Sequence, residues 1–163
     1  MYETGDLVIY GNQSVCRIED IGVINVGKSI SEKEYYTLVP IFIDGRTYAP
    51  VDTKMHMRPL ITVEEVNRLM NTISGIQAKT LDDLSKREVT DYYRNVVNEY
   101  SCDELLQFIC NIDAKQESRE LTGKKLDQTD ERYKREAKDL LYQEFAVVLG
   151  ITKDEVIEHM RLM

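Results

Sequence analysis

Tryptophan is absent from the 163 residues, histidine occurs twice and cysteine three times. These scarcities remove most site chemistry before any motif is sought. A metal centre needs at least three well-spaced ligands, yet His56 and His159 stand far apart in the chain and Cys16, Cys102 and Cys110 form no C-x2-C pair. On one helix Cys102 and Cys110 would lie about 12 Å apart at about 1.5 Å per residue, beyond disulfide reach. All three are expected as reduced, buried thiols. Glu155 and His159 share a helix face, where a surface ion pair is the expected arrangement. The G-x-S-x-G, P-loop, G-x-G-x-x-G, H-E-x-x-H and EF-hand patterns are all missing. No metal, cofactor or catalytic residue is therefore expected, and the chain does not read as an enzyme. A hydrolase built from scattered carboxylates would lack any titratable pair placed by motif.

Long apolar runs are missing too. The longest, residues 39–43 and 145–149, cannot cross a bilayer, and the start at Met1-Tyr-Glu-Thr-Gly-Asp6 has no basic stretch followed by an apolar one. A cytoplasmic protein without a membrane partner is expected. Excess positive charge is the last absence: 21 Lys and Arg against 29 Asp and Glu leave a net charge of −8. A field of that sign repels nucleic acid, so any DNA contact must be local or supplied by a partner that holds the duplex nearby.

What is present is 42% apolar residues, enough to build a core in one medium domain or two small ones. The first sixty residues differ in style from the rest. Short β-branched and aromatic runs (Leu7-Val-Ile-Tyr10, Ser14-Val-Cys-Arg-Ile18, Tyr35-Tyr-Thr-Leu-Val39, Arg46-Thr-Tyr-Ala49 and Lys54-Met-His-Met-Arg58) alternate with turn formers, and all three prolines and five of the eight glycines fall here. Five short strands in so few residues predict a small, strongly bent barrel over residues 1–60.

From residue 61 to 163 the punctuation is helical. Thr62-Val-Glu-Glu65, Thr80-Leu-Asp-Asp83, Ser101-Cys-Asp-Glu104 and Thr152-Lys-Asp-Glu155 each place a hydroxyl three residues before a carboxylate, as a helix N-terminus requires. Apolar positions then recur at helical spacing, with ends near Gly75, Gly123 and Gly150. An all-α bundle of about five helices is predicted, so the fold class is α+β, with residues 74–80 the least committed.

Two clusters are candidates for nucleic-acid contact. Between Lys115 and Lys138 eight Lys and Arg face six Asp and Glu, and Arg132, Arg135 and Lys138 recur at three-residue spacing. Such a stripe suits phosphates, but equally a solvated helix face laced with i,i+4 pairs. Lys86-Arg87 followed by Tyr92-Tyr93-Arg94 mixes cations with aromatics, which serve as stacking platforms or as packing. In the barrel, short strands leave edges that another chain can extend, and Ile24, Val26, Phe42 and Tyr48 either flank such an edge or complete the core.

In order and spacing, Gly5-Asp-Leu-Val-Ile-Tyr10, Val15-Cys-Arg-Ile-Glu-Asp-Ile21, Lys33-Glu-Tyr-Tyr-Thr-Leu38 and Tyr48-Ala-Pro-Val-Asp52 resemble the Tudor-like (SH3-like) RNA-polymerase-interacting domain of the CarD/CdnL regulators. The same module occurs in the bacterial transcription-repair coupling factor. Tyr93-Arg94, residues 126–132, Ala137-Lys138, Leu141 and Glu144-Phe-Ala146 resemble the family's C-terminal helices. The resemblance implies a bacterial transcription regulator whose barrel adds its edge to a strand of the RNA polymerase β subunit. Its helical domain would touch promoter DNA weakly at the upstream edge of the melted bubble and shift the closed-to-open equilibrium. On this reading Ile24, Val26, Arg46 and Tyr48 face the polymerase, with Arg46 and Tyr48 on one side of their strand, while Lys86, Arg87, Arg94 and Arg132 face DNA. The family tryptophan at the start of the long helix is replaced by Val89 or a neighbour. Homodimerisation through a swapped barrel is left open by the sequence. The alternative is an adaptor that binds polymerase or another protein and never touches DNA, as the charge of −8 and the missing tryptophan favour.

Overall fold

The computed structural model describes residues 1–26 and 29–161, and the side chains of all these except 26 and 29–31. It separates into two compact units, Met1–Leu60 and Ile61–Met163. The first is a five-stranded antiparallel sheet and the second is helical, so the class is α+β.

Strands β1 (Leu7–Tyr10), β2 (Val15–Val26), β3 (Ser29–Pro40), β4 (Thr47–Pro50) and β5 (Met57–Pro59) pair in the order β4-β3-β2-β1-β5. Period-two alternation decides which side chains face inward. Val8 and Tyr10, Cys16 and Ile18, Tyr36 and Leu38, and Ala49 are buried together, and Tyr2, Ile21, Val51 and Met57 pack against them. Along β2 the register shifts between Ile18 and Asp20 and again between Val23 and Asn25. Each bulge bends the hairpin and re-aims the residues beyond it. Gly5, at φ 95°, makes the turn that lets its N–H donate to the carbonyl of Ile18 at 2.7 Å, a conformation a Cβ would strain.

The expected barrel is not closed by these pairings. Among the described residues β4 pairs only with β3 and β5 only with β1. At four and three residues, and ending in Pro50 and Pro59, the two outer strands are short of length and of donors for a closing ladder. The hairpin strands are longer than the sequence runs suggested, twelve residues each.

Five α-helices are found among the described residues: α1 (Val63–Thr72), α2 (Lys86–Asn98), α3 (Cys102–Glu120), α4 (Gln128–Leu149) and α5 (Lys153–Arg161). Thr62 and Ser101 cap α1 and α3 as their spacing predicts, and Thr152 accepts from the N–H of Glu155. Thr80 does not start a helix. Ser85 does, in a reciprocal box with Glu88 at 3.2 and 3.0 Å, because Val89, Tyr93, Val96 and Val97 follow it at the spacing that buries one face. Gly150, at φ 67°, ends α4. Helix α4 packs against each of the other four. Its Tyr133, Ala137, Leu140, Leu141 and Phe145 form the centre of this core, with Phe108 and Ile112 of α3 and Tyr93 of α2. None of the helices is long and apolar enough, among the described residues, to cross a membrane.

Candidate functional site

The sheet's order makes β4 an outer strand, with only its β3 side paired among the described residues. Its pairing runs from Tyr35↔Pro50 to Leu38↔Thr47, placing Tyr48 opposite Thr37 and Ala49 opposite Tyr36. Ala49 therefore points into the core while Tyr48 points out and is 49% exposed. The loop entering β4 carries Ile41, Phe42 and Ile43, all exposed. Phe42 thus belongs to the surface and not to the core. An outer strand beside four exposed apolar side chains is a pairing site that single scattered residues would not make.

Arg46 precedes β4 instead of lying in it. Its guanidinium reaches the bulge on β2, donating to both carboxylate oxygens of Glu19 at 2.8 and 3.2 Å. That fork holds the Glu19 carboxyl below its ordinary range, chiefly through the hydrogen bond. The bulge at Glu19 was not legible in the sequence, and it decides where Arg46 goes. On the opposite face of β4, Thr47 donates from its hydroxyl to Gln13 Oε1 at 2.8 Å.

Ile24 lies on the distal arm of the β2–β3 hairpin, beyond the last β4 partner at Tyr35, and is half-buried beside exposed Val23. The backbone of Val26 pairs with Ser29, while its side chain lies outside the described residues. Arg46 and Tyr48 thus stand together at the β4 edge, and Ile24 and Val26 stand apart from them along the hairpin.

In the helical unit Lys86 and Arg87 occupy the exposed first turn of α2, where the helix dipole disfavours cations. Arg94 shares a face with Arg87 seven residues earlier, but Asp91 stands between them and ion-pairs with Arg94 at 3.1 Å. Arg132, on α4, pairs with Glu136 at 3.3 Å and lies 5.2 Å from the ring centre of Tyr133. Lys134 and Lys138 meet Asp113 of α3 at 2.7 and 4.0 Å. The interleaved carboxylates of the solvated-face reading are therefore present at both clusters.

Tyr93 is packing, not a stacking platform. Buried between Phe108 and Tyr133, with ring centres at 4.9 and 5.7 Å, it donates to Asp130 Oδ1 at 2.9 Å. Asp130, itself buried, also meets Lys115 Nζ at 2.8 Å. Burial first, and then the Asp130 hydrogen bond, push the Tyr93 phenol well above its ordinary value.

Cys16 and Cys102 are buried and Cys110 is only partly so; all three are free thiols. Glu155 takes the Thr152 hydroxyl at 3.1 Å in place of the expected pair with His159. Among the described residues no group of three His, Cys, Asp or Glu is placed to hold a metal.

A search of the curated proteins returned no match to the chain. Residues 2–61, which contain all five strands of the sheet, match the family model of the CarD-like/TRCF RID domain.

Proposed function

We propose that the protein is a transcription regulator whose first unit, a Tudor/SH3-like module with a sheet left open at β4, binds the β subunit of RNA polymerase. The observation that carries this reading is the outer strand β4, unpaired on one side among the described residues and flanked by Tyr48, Arg46 and the exposed 41–43 loop, within the domain that matches the family. Main-chain hydrogen bonds from an added strand would supply affinity and the flanking side chains selectivity. The second unit then meets promoter DNA at the edge of the melted region and shifts the closed-to-open equilibrium. Tethering through polymerase raises the local concentration of DNA, which an acidic protein could not gather alone.

The test is a pull-down with the isolated β lobe. Arg46→Glu combined with Tyr48→Ala is expected to abolish retention while leaving the far-ultraviolet circular dichroism unchanged; undiminished retention places the dock elsewhere. A second reading, an adaptor that leaves DNA untouched, is favoured by Asp91 and Glu136, which neutralise Arg94 and Arg132. Footprinting a promoter complex with and without the protein separates the two, because only a DNA-contacting protein extends protection at the bubble edge.

A further inference from the structure

After α1 and a single 3-10 turn at Ile73–Gly75 the chain runs for ten residues, 76–85, without helix before α2, longer than most connections in compact domains. It is fixed to α3 by side chains: Gln107 donates to the carbonyl of Gln77 at 2.8 Å, and Asn111 accepts from the N–H of Lys79 at 2.7 Å. A hydrogen bond of 2.9 Å from Gln107 to Asn111 joins the two clasps. Beneath residues 78–82 lies a cleft of about 300 Å³, walled by this connection, α2 and α3. That volume is at the lower end of roughly 300–1,000 Å³ for ligand sites.

The cleft's chemistry is ordered along α3. Phe108, Ile112, Lys115 and Arg119 recur at helical spacing, so this side passes from apolar to cationic within three turns, with Phe108 and Ile112, almost fully buried, as the floor. Val89 and Tyr92 of α2 extend the apolar part. Ala114 and Ser118 leave open the volume that larger side chains would fill. Lys79, Lys115 and Arg119 line the cleft with one carboxylate, Asp82; Lys115 is already held by the buried Asp130 at 2.8 Å, which leaves Lys79 and Arg119 as the cations open to a ligand, in a chain whose net charge is −8. Among the described residues Arg119 pairs with no carboxylate; its one hydrogen-bond acceptor is the carbonyl of Lys125 at 3.1 Å. A local excess of cation beside aromatic walls, in an acidic protein, selects for an apolar body that carries one negative charge.

We propose that this cleft binds a small amphipathic anion, an aromatic carboxylic acid whose ring lies against Val89 and Tyr92 over the floor formed by Phe108 and Ile112 and whose carboxylate meets Arg119. The proposal stands independently of polymerase binding, since every residue it uses lies in the second unit. Calorimetric titration and amide chemical-shift mapping of the full chain test it, with indole-3-acetate and salicylate as probes and indole-3-acetamide as the uncharged analogue. Saturable binding of at least one acid is expected, with shifts centred on residues 78–82, 89–93 and 108–119. Indole-3-acetamide should bind roughly tenfold more weakly than its acid, and Arg119→Gln should weaken the acid by about fivefold or more. Ala114→Trp should remove binding from a folded chain; if that variant unfolds, the Arg119→Gln result decides. Failure of both acids to saturate, equal binding of the amide, or shifts away from these segments overturns the proposal.

Discussion

Glu144, without exposed surface in the middle of the helical unit, accepts a hydrogen bond at 3.0 Å from the backbone N–H of Ile61, eighty-three residues earlier in the chain. Its other carboxylate oxygen takes the thiol of Cys102 at 3.3 Å. One side chain of α4 thereby fixes both the entry to α1 and the first residue of α3. Removing it would leave the part-buried N–H of Ile61 without its acceptor and a void in close-packed surroundings. Glu144→Ala should destabilise the fold by about 2–4 kcal/mol, the sum of an unsatisfied donor and a small cavity. Glu144→Gln, which keeps an acceptor for Ile61, should cost less than half of that. Urea denaturation reads both as a lower midpoint at unchanged slope.

Tyr93 and Asp130 give the fold a dependence on alkaline pH. The phenol of Tyr93 is raised above its ordinary value of about 10, first by burial and then by Asp130. In the folded chain it keeps its proton where the unfolded chain releases it. Its contribution is complete below about pH 10 and is lost as pH rises further. Tyr93→Phe should lower stability at neutral pH by about 1–2 kcal/mol through the lost hydrogen bond. The same variant should flatten the decline above pH 10, measured as unfolding midpoints across pH 8–11.

Burial separates the cysteines by reactivity. The thiol of Cys16 is pushed up to about 11, and that of Cys110 is raised by burial and then by Asp113. Thiolate is the reactive form, so access and acidity act together. At pH 8 iodoacetamide should label Cys110 first and leave Cys16 unmodified until the chain unfolds, as peptide mass spectrometry of a time course would show.

The local signals of this fold were legible where they were sufficient in themselves. Thr62 and Ser101 cap their helices because a hydroxyl and a carboxylate three residues on need nothing from elsewhere. Thr80-Leu-Asp-Asp83 carries the same pattern five residues before Ser85 and loses, because the apolar spacing that buries α2 begins at Val89 and fits only the later start. Asp127 caps α4 without a hydroxyl signature. The buried carboxylates Asp130 and Glu144 were hidden for another reason. Nothing local to either residue marks it for burial, and their partners Tyr93 and Ile61 lie 37 and 83 residues away. At the sheet edge Tyr48 was legible from alternation, whereas the partner of Arg46 depends on a bulge at Glu19 that no periodicity announces.

That partner sets a prediction about the dock. If polymerase recruits Arg46, it must compete with Glu19, whose carboxyl the guanidinium holds low. Glu19→Gln should therefore release Arg46 and tighten binding to the β lobe by roughly 2- to 5-fold, the range of an exposed pair. In Arg46→Ala the Glu19 carboxyl should titrate upward to the ordinary range, read by carbon-detected NMR. Unchanged affinity in Glu19→Gln would mean that Arg46 stays with Glu19 in the complex.

The helical cations discriminate between a DNA-contacting regulator and an adaptor. Arg94 and Arg132 already have carboxylate partners in Asp91 and Glu136, so promoter phosphates would gain only what those pairs give up. Lys86 and Arg87 are exposed at the start of α2, and no carboxylate pairs with either among the described residues. If DNA is met there, Lys86→Glu with Arg87→Glu should remove the added protection at the bubble edge and shorten the life of the open complex. Asp91→Asn, which frees Arg94, should lengthen it. Both effects should shrink with added salt, because each phosphate contact releases counterions. An adaptor predicts the opposite pattern: open-complex lifetimes indifferent to all three substitutions, with polymerase retention intact.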